Sequence, residues 1–254
     1  RASVPVNTTV PAVDPGRAHA LVAASGCTTA KVKVAEPGQS LAEECARLDA
    51  VRDALGVAGR IRVDANAAWS LDEALRALPE LDRAAGGLEY AEQPCAAVAD
   101  LAELRRRLVI PIAADESIRR SGDPEAVVRA DAADVIVLKV QPLGGVRAGL
   151  ELADRIGLPV VVSSALETSV GIAAGVALAA ALPELPYACG LGTVSLAEVD
   201  VAAAPLTPRN GVLPVGRIEP DGTPLPAPPD VAEWWRERIA RVARLAGEDL
   251  SDVE

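Results

Sequence analysis

Eight short runs rich in Val, Ile and Leu, separated by longer stretches of helical period, constrain this chain more than any other feature. They lie at residues 4–10 (VPVNTTV), 30–34 (AKVKV), 60–66 (RIRVDAN), 88–94 (LEYAEQP), 109–117 (VIPIAADES), 134–141 (DVIVLKVQ), 158–165 (LPVVVSSA) and 187–193 (YACGLGT). Apolar strands joined by helical crossovers build a parallel sheet. Eight of them favour a closed (β/α) barrel over an open doubly wound sheet, and no GxGxxG follows the first run to argue for a dinucleotide. The length of 254 residues fits one such barrel.

Local signals agree with the period. Ser40 with Glu43, and Ser70 with Glu73, each form a capping box ahead of an amphipathic run. Residues 1–200 are expected to form the barrel. Residues 201–228, rich in Pro and Gly, predict irregular structure with turns at Asn210-Gly211 and Asp221-Gly222, and 229–246 predict a last amphipathic helix carrying Trp234 and Trp235. The whole segment 201–254 is expected to pack on the barrel or on a residual cap.

A net charge of −11 argues against a nucleic-acid partner, since phosphate recognition needs concentrated Lys and Arg. Cys27, Cys45, Cys95 and Cys189 are widely spaced with no CxxC, which predicts neither a zinc site nor a disulfide framework and fits a reducing cytoplasm. No apolar run is long enough for a membrane span, and the opening residues lack the pattern of a signal peptide. The chain contains no Met and begins at Arg1, so something upstream is expected to be missing.

Barrel strands are apolar in their middles, so charge at their C-terminal ends needs a reason. Five consecutive runs have it: Lys31 and Lys33, Asp64 with Asn66, Glu92, Asp115 with Glu116, and Lys139. In a barrel those ends converge on the face where active sites are built. Three carboxylates crowded there need a cation, and hard oxygen ligands suit Mg²⁺. Any one of them taken alone could equally pair with a nearby Lys or Arg; it is the regular placement on successive strands that favours a shared ion. Lys31 and Lys33, two apart, face the same side, and crowding of like charges is expected to lower their pKa towards that of a usable base. Lys139 approaches from the opposite wall. His19, the one histidine, lies in the first helix and is expected to have no catalytic role. Ser163, Ser164, Glu167 and Thr168 after the seventh run, and Gly190, Leu191 and Gly192 in the eighth, either present N–H groups to a carboxylate or are ordinary turn and cap residues.

AKVKV, RVDANAAW, LEYAEQP, IAADES and VIVLKVQPLGG, in this order over residues 4–195, resemble the motifs of the enolase superfamily. The resemblance implies a TIM-like (β/α)7β barrel, α/β in class, with most of the N-terminal α+β capping domain absent from this chain. Lysines on the second and sixth strands are similar to the muconate-lactonizing subgroup, whereas mandelate racemase relatives carry a late histidine that is lacking here. By the resemblance Asp64, Glu92 and Asp115 ligate Mg²⁺, or Mn²⁺ in its place. Lys33 takes the proton, Lys139 faces it across the substrate, and Lys31 gives electrostatic support. Asn66 and Glu116 orient the ligands. Within the subgroup the SSALETSVG segment is most similar to the o-succinylbenzoate synthase family, where it receives the succinyl carboxylate, which makes Ser163, Ser164 and Gly190 candidate substrate contacts. The implied activity is dehydration of a cyclohexadiene carboxylate in menaquinone biosynthesis. N-acylamino acid racemisation or cycloisomerisation by the same subgroup is the alternative, and a non-catalytic anion-binding barrel a more distant one.

Overall fold

The computed structural model describes residues 1–119, 123–222 and 227–247. Nine strands and nine α-helices occur among them. In chain order they are β1 (Ser3–Pro5), β2 (Thr8–Val10), α1 (Pro15–Ser25), β3 (Thr29–Lys33), α2 (Leu41–Leu55), β4 (Arg60–Asp64), α3 (Leu71–Ala85) and β5 (Tyr90–Glu92). There follow α4 (Val98–Arg107), β6 (Ile112–Ala114), α5 (Asp123–Arg129), β7 (Val135–Leu138), α6 (Val140–Leu143), α7 (Val146–Ile156), β8 (Val160–Val162), α8 (Ser169–Ala181), β9 (Val212–Pro214) and α9 (Pro229–Ala246). Two compact units result, Arg1–Pro220 and Asp221–Glu254.

In the first unit β2 to β8 form one parallel sheet in sequence order. The expected eighth strand is reduced to two bridging residues, yet these join the sheet's ends. Cys189 pairs with Val6, and Gly190 pairs with Ser163, both in parallel. Gly190 N–H donates to Val162 at 2.8 Å and Asn7 N–H to Cys189 at 3.0 Å, so hydrogen bonds run from β8 back to the start of the ring. The absence of a side chain at Gly190 matters here, because a Cβ would collide with Ser163 Oγ.

The first expected strand divides in two. Residues 3–5 pair antiparallel with β9 instead of entering the ring. Pro5 and Pro214 lack the N–H that a central strand must donate, which confines them to an edge. The Asn210-Gly211 turn closes beside this pair with φ of 51° and 70°, the left-handed geometry of a two-residue hairpin turn. The sixth strand also stops earlier than expected, because Val140–Leu143 turns at once into a short helix.

Both expected capping boxes form. Ser40 N–H donates to Glu43 Oε2 at 2.7 Å and Ser70 N–H to Glu73 Oε2 at 2.8 Å, while each serine oxygen accepts from the glutamate N–H. Helix α9 in the second unit begins with proline in its first turn and ends at Gly247, and Trp234 and Trp235 are half exposed on it. Among the described residues no helix is long and apolar enough to cross a membrane.

Apolar side chains fall into two layers, as strand alternation requires. A large cluster, including Val32, Val63 and Ile136, fills the space between strands and helices. A small one, Tyr90, Ala113, Val135, Val137 and Val161, lies inside the ring. Residues two positions further along these strands share the inner face, which is how Glu92, Asp115, Lys139 and Ser163 come to its upper end.

Candidate active site

Strand register sets the site in rows. Lys33 lies beside Asp64, and Asp64 beside Glu92. One row below, Lys31 lies beside Arg62 and Arg62 beside Tyr90. The third carboxylate, Asp115, follows β6 and opens a 3-10 turn, Glu116–Ile118. Asp64, Glu92 and Asp115 are each 1% exposed, an expensive position for three anions unless each has a partner.

Cations supply the partners. Lys31 Nζ contacts Glu92 Oε1 at 2.8 Å and Asp64 Oδ2 at 3.0 Å. Lys33 Nζ donates to Asp64 Oδ2 at 2.7 Å and to Asn66 Oδ1 at 2.5 Å. Lys139 Nζ donates to Asp115 Oδ2 at 2.6 Å, and Arg119 holds the same carboxylate at 3.2 and 2.8 Å. Asn66 Nδ2 donates to Glu116 Oε1 at 3.2 Å, which links the two residues expected to orient the ligands. All eight of these sequence-predicted residues thus belong to one network at the strand ends.

Ser163 and Ser164 are buried one strand further round. Ser163 Oγ donates weakly to the Gly190 carbonyl at 3.4 Å, and Ser164 Oγ lies 2.8 Å from Thr193 Oγ1. Two N–H groups in the segment after β8 are held by the chain's own acids. Glu167 accepts from Ala165 N–H at 2.9 Å, and Asp200 accepts from Ser169 N–H at 2.9 Å at the start of α8. His19 is paired with Asp53 at the surface, 3.3 Å away, as its place in α1 implied.

The electrostatics correct one expectation. Burial alone would lower the Lys31 pKa, but Glu92 and Asp64 against it outweigh burial and hold the ammonium above the ordinary lysine value. The same contacts act in reverse on Asp64: burial pushes its carboxyl up, yet Lys31 and Lys33 hold it below the usual carboxylate range. Glu92 differs. Burial, joined by the nearby charges of Asp64 and Asp115, pushes it up to about 7 despite Lys31.

Among the described residues no three His, Cys, Asp or Glu side chains are gathered into a ready cage. The carboxylates lean on lysine and arginine partners, with Lys31 shared by Asp64 and Glu92. The donor set nevertheless fits a divalent cation. It offers hard oxygens from three adjacent strands, close enough that Asp64 and Asp115 both disfavour ionisation of Glu92.

Some participants carried no signal in the sequence. Gln93, fully buried at φ 37°, accepts the N–H groups of Asp115 at 2.9 Å and Ser117 at 3.2 Å, and so fixes the turn bearing the third carboxylate. Arg119 was hidden because its contact depends on a 3-10 turn. Beneath the site, Arg62 lies over the Tyr90 ring at 4.7 Å, pairs with Glu89 and donates to the Ala188 carbonyl at 2.7 Å. Arg62→Met strands Glu89 and removes the cation from the row that Arg62 shares with Lys31 and Tyr90. Unfolding in urea is expected to show a loss of about 3–5 kcal/mol; a loss below about 1 kcal/mol would mean that the buried cation is not holding the floor of the site.

Residues 16–223 match the family described as enolase C-terminal domain-like. The o-succinylbenzoate synthase of Thermobifida fusca is 62% identical over 250 residues, covering 98% of this chain and 78% of that protein. The o-succinylbenzoate synthase of Mycobacterium bovis is 56% identical over 243 residues, 94% of this chain and 73% of that protein. Among solved structures, a dipeptide epimerase from Enterococcus faecalis, complexed with Mg and the dipeptide L-Leu-L-Tyr, superposes with a TM-score of 0.74 at 25% identity. That match covers 85% of this chain, which spans 62% of the epimerase.

Proposed function

This chain belongs to the enolase C-terminal domain-like family, and on that footing we propose that it dehydrates 2-succinyl-6-hydroxy-2,4-cyclohexadiene-1-carboxylate to o-succinylbenzoate, a step of menaquinone biosynthesis. The observation that carries this reading is the row Lys33, Asp64, Glu92 with Lys139, four strands on from Lys33, reaching Asp115 on the neighbouring strand end. It sets two amines on either side of a carboxylate cluster. The relatives at 62% and 56% identity support the choice of substrate.

In this reading Asp64, Glu92 and Asp115 hold Mg²⁺, or Mn²⁺ in its place, while Asn66 and Glu116 orient the ligand side chains. The ion would supply positive charge to the substrate carboxylate, where negative charge develops as the α-proton leaves. Lys33 Nζ takes that proton, and the C–H electron pair moves into the carboxylate. The pair then returns to expel the β-hydroxyl on the same face, protonated Lys33 gives its proton to the departing oxygen, and water and an aromatic ring result. Lys139 lies across the ring and offsets the carboxylate charge, and Lys31, held protonated by Glu92 and Asp64, adds a fixed positive charge below. Ser163, Ser164 and Gly190 are the residues we assign to the succinyl arm. Residues 187–193 hold no carboxylate that would retain a substrate ammonium, which favours an acid over a dipeptide.

The setting that fits is the cytoplasm, in keeping with four free thiols at Cys27, Cys45, Cys95 and Cys189. The test follows loss of the diene absorbance with product identified by mass. Conversion to o-succinylbenzoate is expected. Deuterium entering recovered N-acylamino acid from D₂O, with no dehydration, would replace this reading by racemisation.

A further inference from the structure

Helix α2, outside the ring, holds the main chain at two points as it leaves Lys33. Arg47, 1% exposed, donates from Nη2 to the Lys33 carbonyl at 3.3 Å and from Nη1 to the Val13 carbonyl at 3.0 Å. Three residues earlier Glu44, also buried, accepts the N–H of Ala35 at 2.6 Å. Between these contacts Val34 N–H donates to the Asp64 carbonyl at 3.1 Å.

The segment needs holding. Ala35 has φ 61°, a left-handed conformation that costs a residue with a side chain about 1 kcal/mol or more. Non-glycine residues with positive φ also follow the next two site strands, at Asn66, Ala67 and Gln93. Packing alone does not explain a buried guanidinium and carboxylate. The neighbouring inward positions of α2 are Leu48 and Val51, and Arg47 Nε is buried with no partner. The Lys33 side chain is 25% exposed and, among the described residues, its Nζ is tied to Asp64 and Asn66, so where its main chain stands decides where the amine points.

We propose that Glu44 and Arg47 are positioning residues for the reaction: they hold the backbone leaving Lys33, at its own carbonyl and at the N–H of Ala35, and thereby aim its amine. The proposal rests on Lys33 being the base. It is tested by kcat, KM, melting temperature and amide hydrogen exchange at Ala35. Arg47→Met and Glu44→Ala are expected to lower kcat about 10- to 100-fold with KM changed less than about threefold, and to speed exchange at Ala35 while amides in α8 keep their protection. Glu44→Gln keeps an acceptor and is expected to restore most of kcat, and Arg47→Lys, which reaches one carbonyl but not both, to fall between. A lower melting temperature with kcat per folded molecule and Ala35 exchange unchanged makes the pair merely structural and overturns the proposal.

Should Arg47→Met not fold, Ala35→Gly decides. It frees the strained turn while keeping the N–H that Glu44 accepts and removing one partly buried methyl, so kcat is expected to fall with little change in melting temperature, and an unchanged kcat overturns the proposal. If the parent protein itself performs no dehydration, the assignment of Lys33 fails separately. Exchange then judges the clamp alone: selective acceleration at Ala35 retains it, and its absence removes it.

Discussion

Lys33→Ala is expected to lower kcat for dehydration by about 10⁴-fold, since in the proposed mechanism one amine serves first as base and then as acid and both contributions vanish together. The fold is expected to survive. Lys33 is a quarter exposed, and Asp64 retains Lys31 at 3.0 Å and the N–H of Asn66 at 3.0 Å when Lys33 is gone. Loss of one such partly exposed pair changes stability by about 1 kcal/mol. Unaltered circular dichroism with abolished turnover is the expected pair of results. Lys31→Ala separates the two lysines: it removes a cation that touches both Asp64 and Glu92, so it should reduce divalent ion-free stability more than Lys33→Ala does. A Lys33→Ala protein that keeps more than about a tenth of the parent rate would place the base elsewhere.

The second large effect concerns the metal. Dialysis against EDTA is expected to reduce dehydration by at least about 10³-fold, because the charge that grows on the substrate carboxylate then loses its strongest stabiliser. Addition of Mg²⁺ or Mn²⁺ should restore it. The chelated protein should remain folded, for Lys31, Lys33, Lys139 and Arg119 already neutralise Asp64, Glu92 and Asp115. Activity indifferent to EDTA would leave the three carboxylates as partners of these cations and nothing more.

Much of the barrel was legible because strand and helix periods differ and alternate regularly. Seven of the site residues announced themselves as charges at the ends of apolar runs, where burial makes a charge costly. What depended on register was not legible. That Lys31 shares a row with Arg62 and Tyr90, and Lys33 one with Asp64 and Glu92, follows from pairing between strands about 30 residues apart in sequence. Gln93 and Arg119 act through local turns whose geometry no spacing rule gives. The direction of the Lys31 shift was missed for a related reason: two lysines at adjacent inward positions suggested mutual repulsion, while the carboxylates that face Lys31 come from other strands. The first strand divided at Val6 because its partner β9 lies two hundred residues away.

Everything in the proposed chemistry depends on one ion being shared by three strands. Titration of Mn²⁺ into the protein, followed by electron paramagnetic resonance, tests that most directly. One bound ion per chain is predicted, with binding lost in Asp64→Asn, Glu92→Gln and Asp115→Asn alike. Binding that persists in any two of these variants, or that is missing from the parent, would contradict the account.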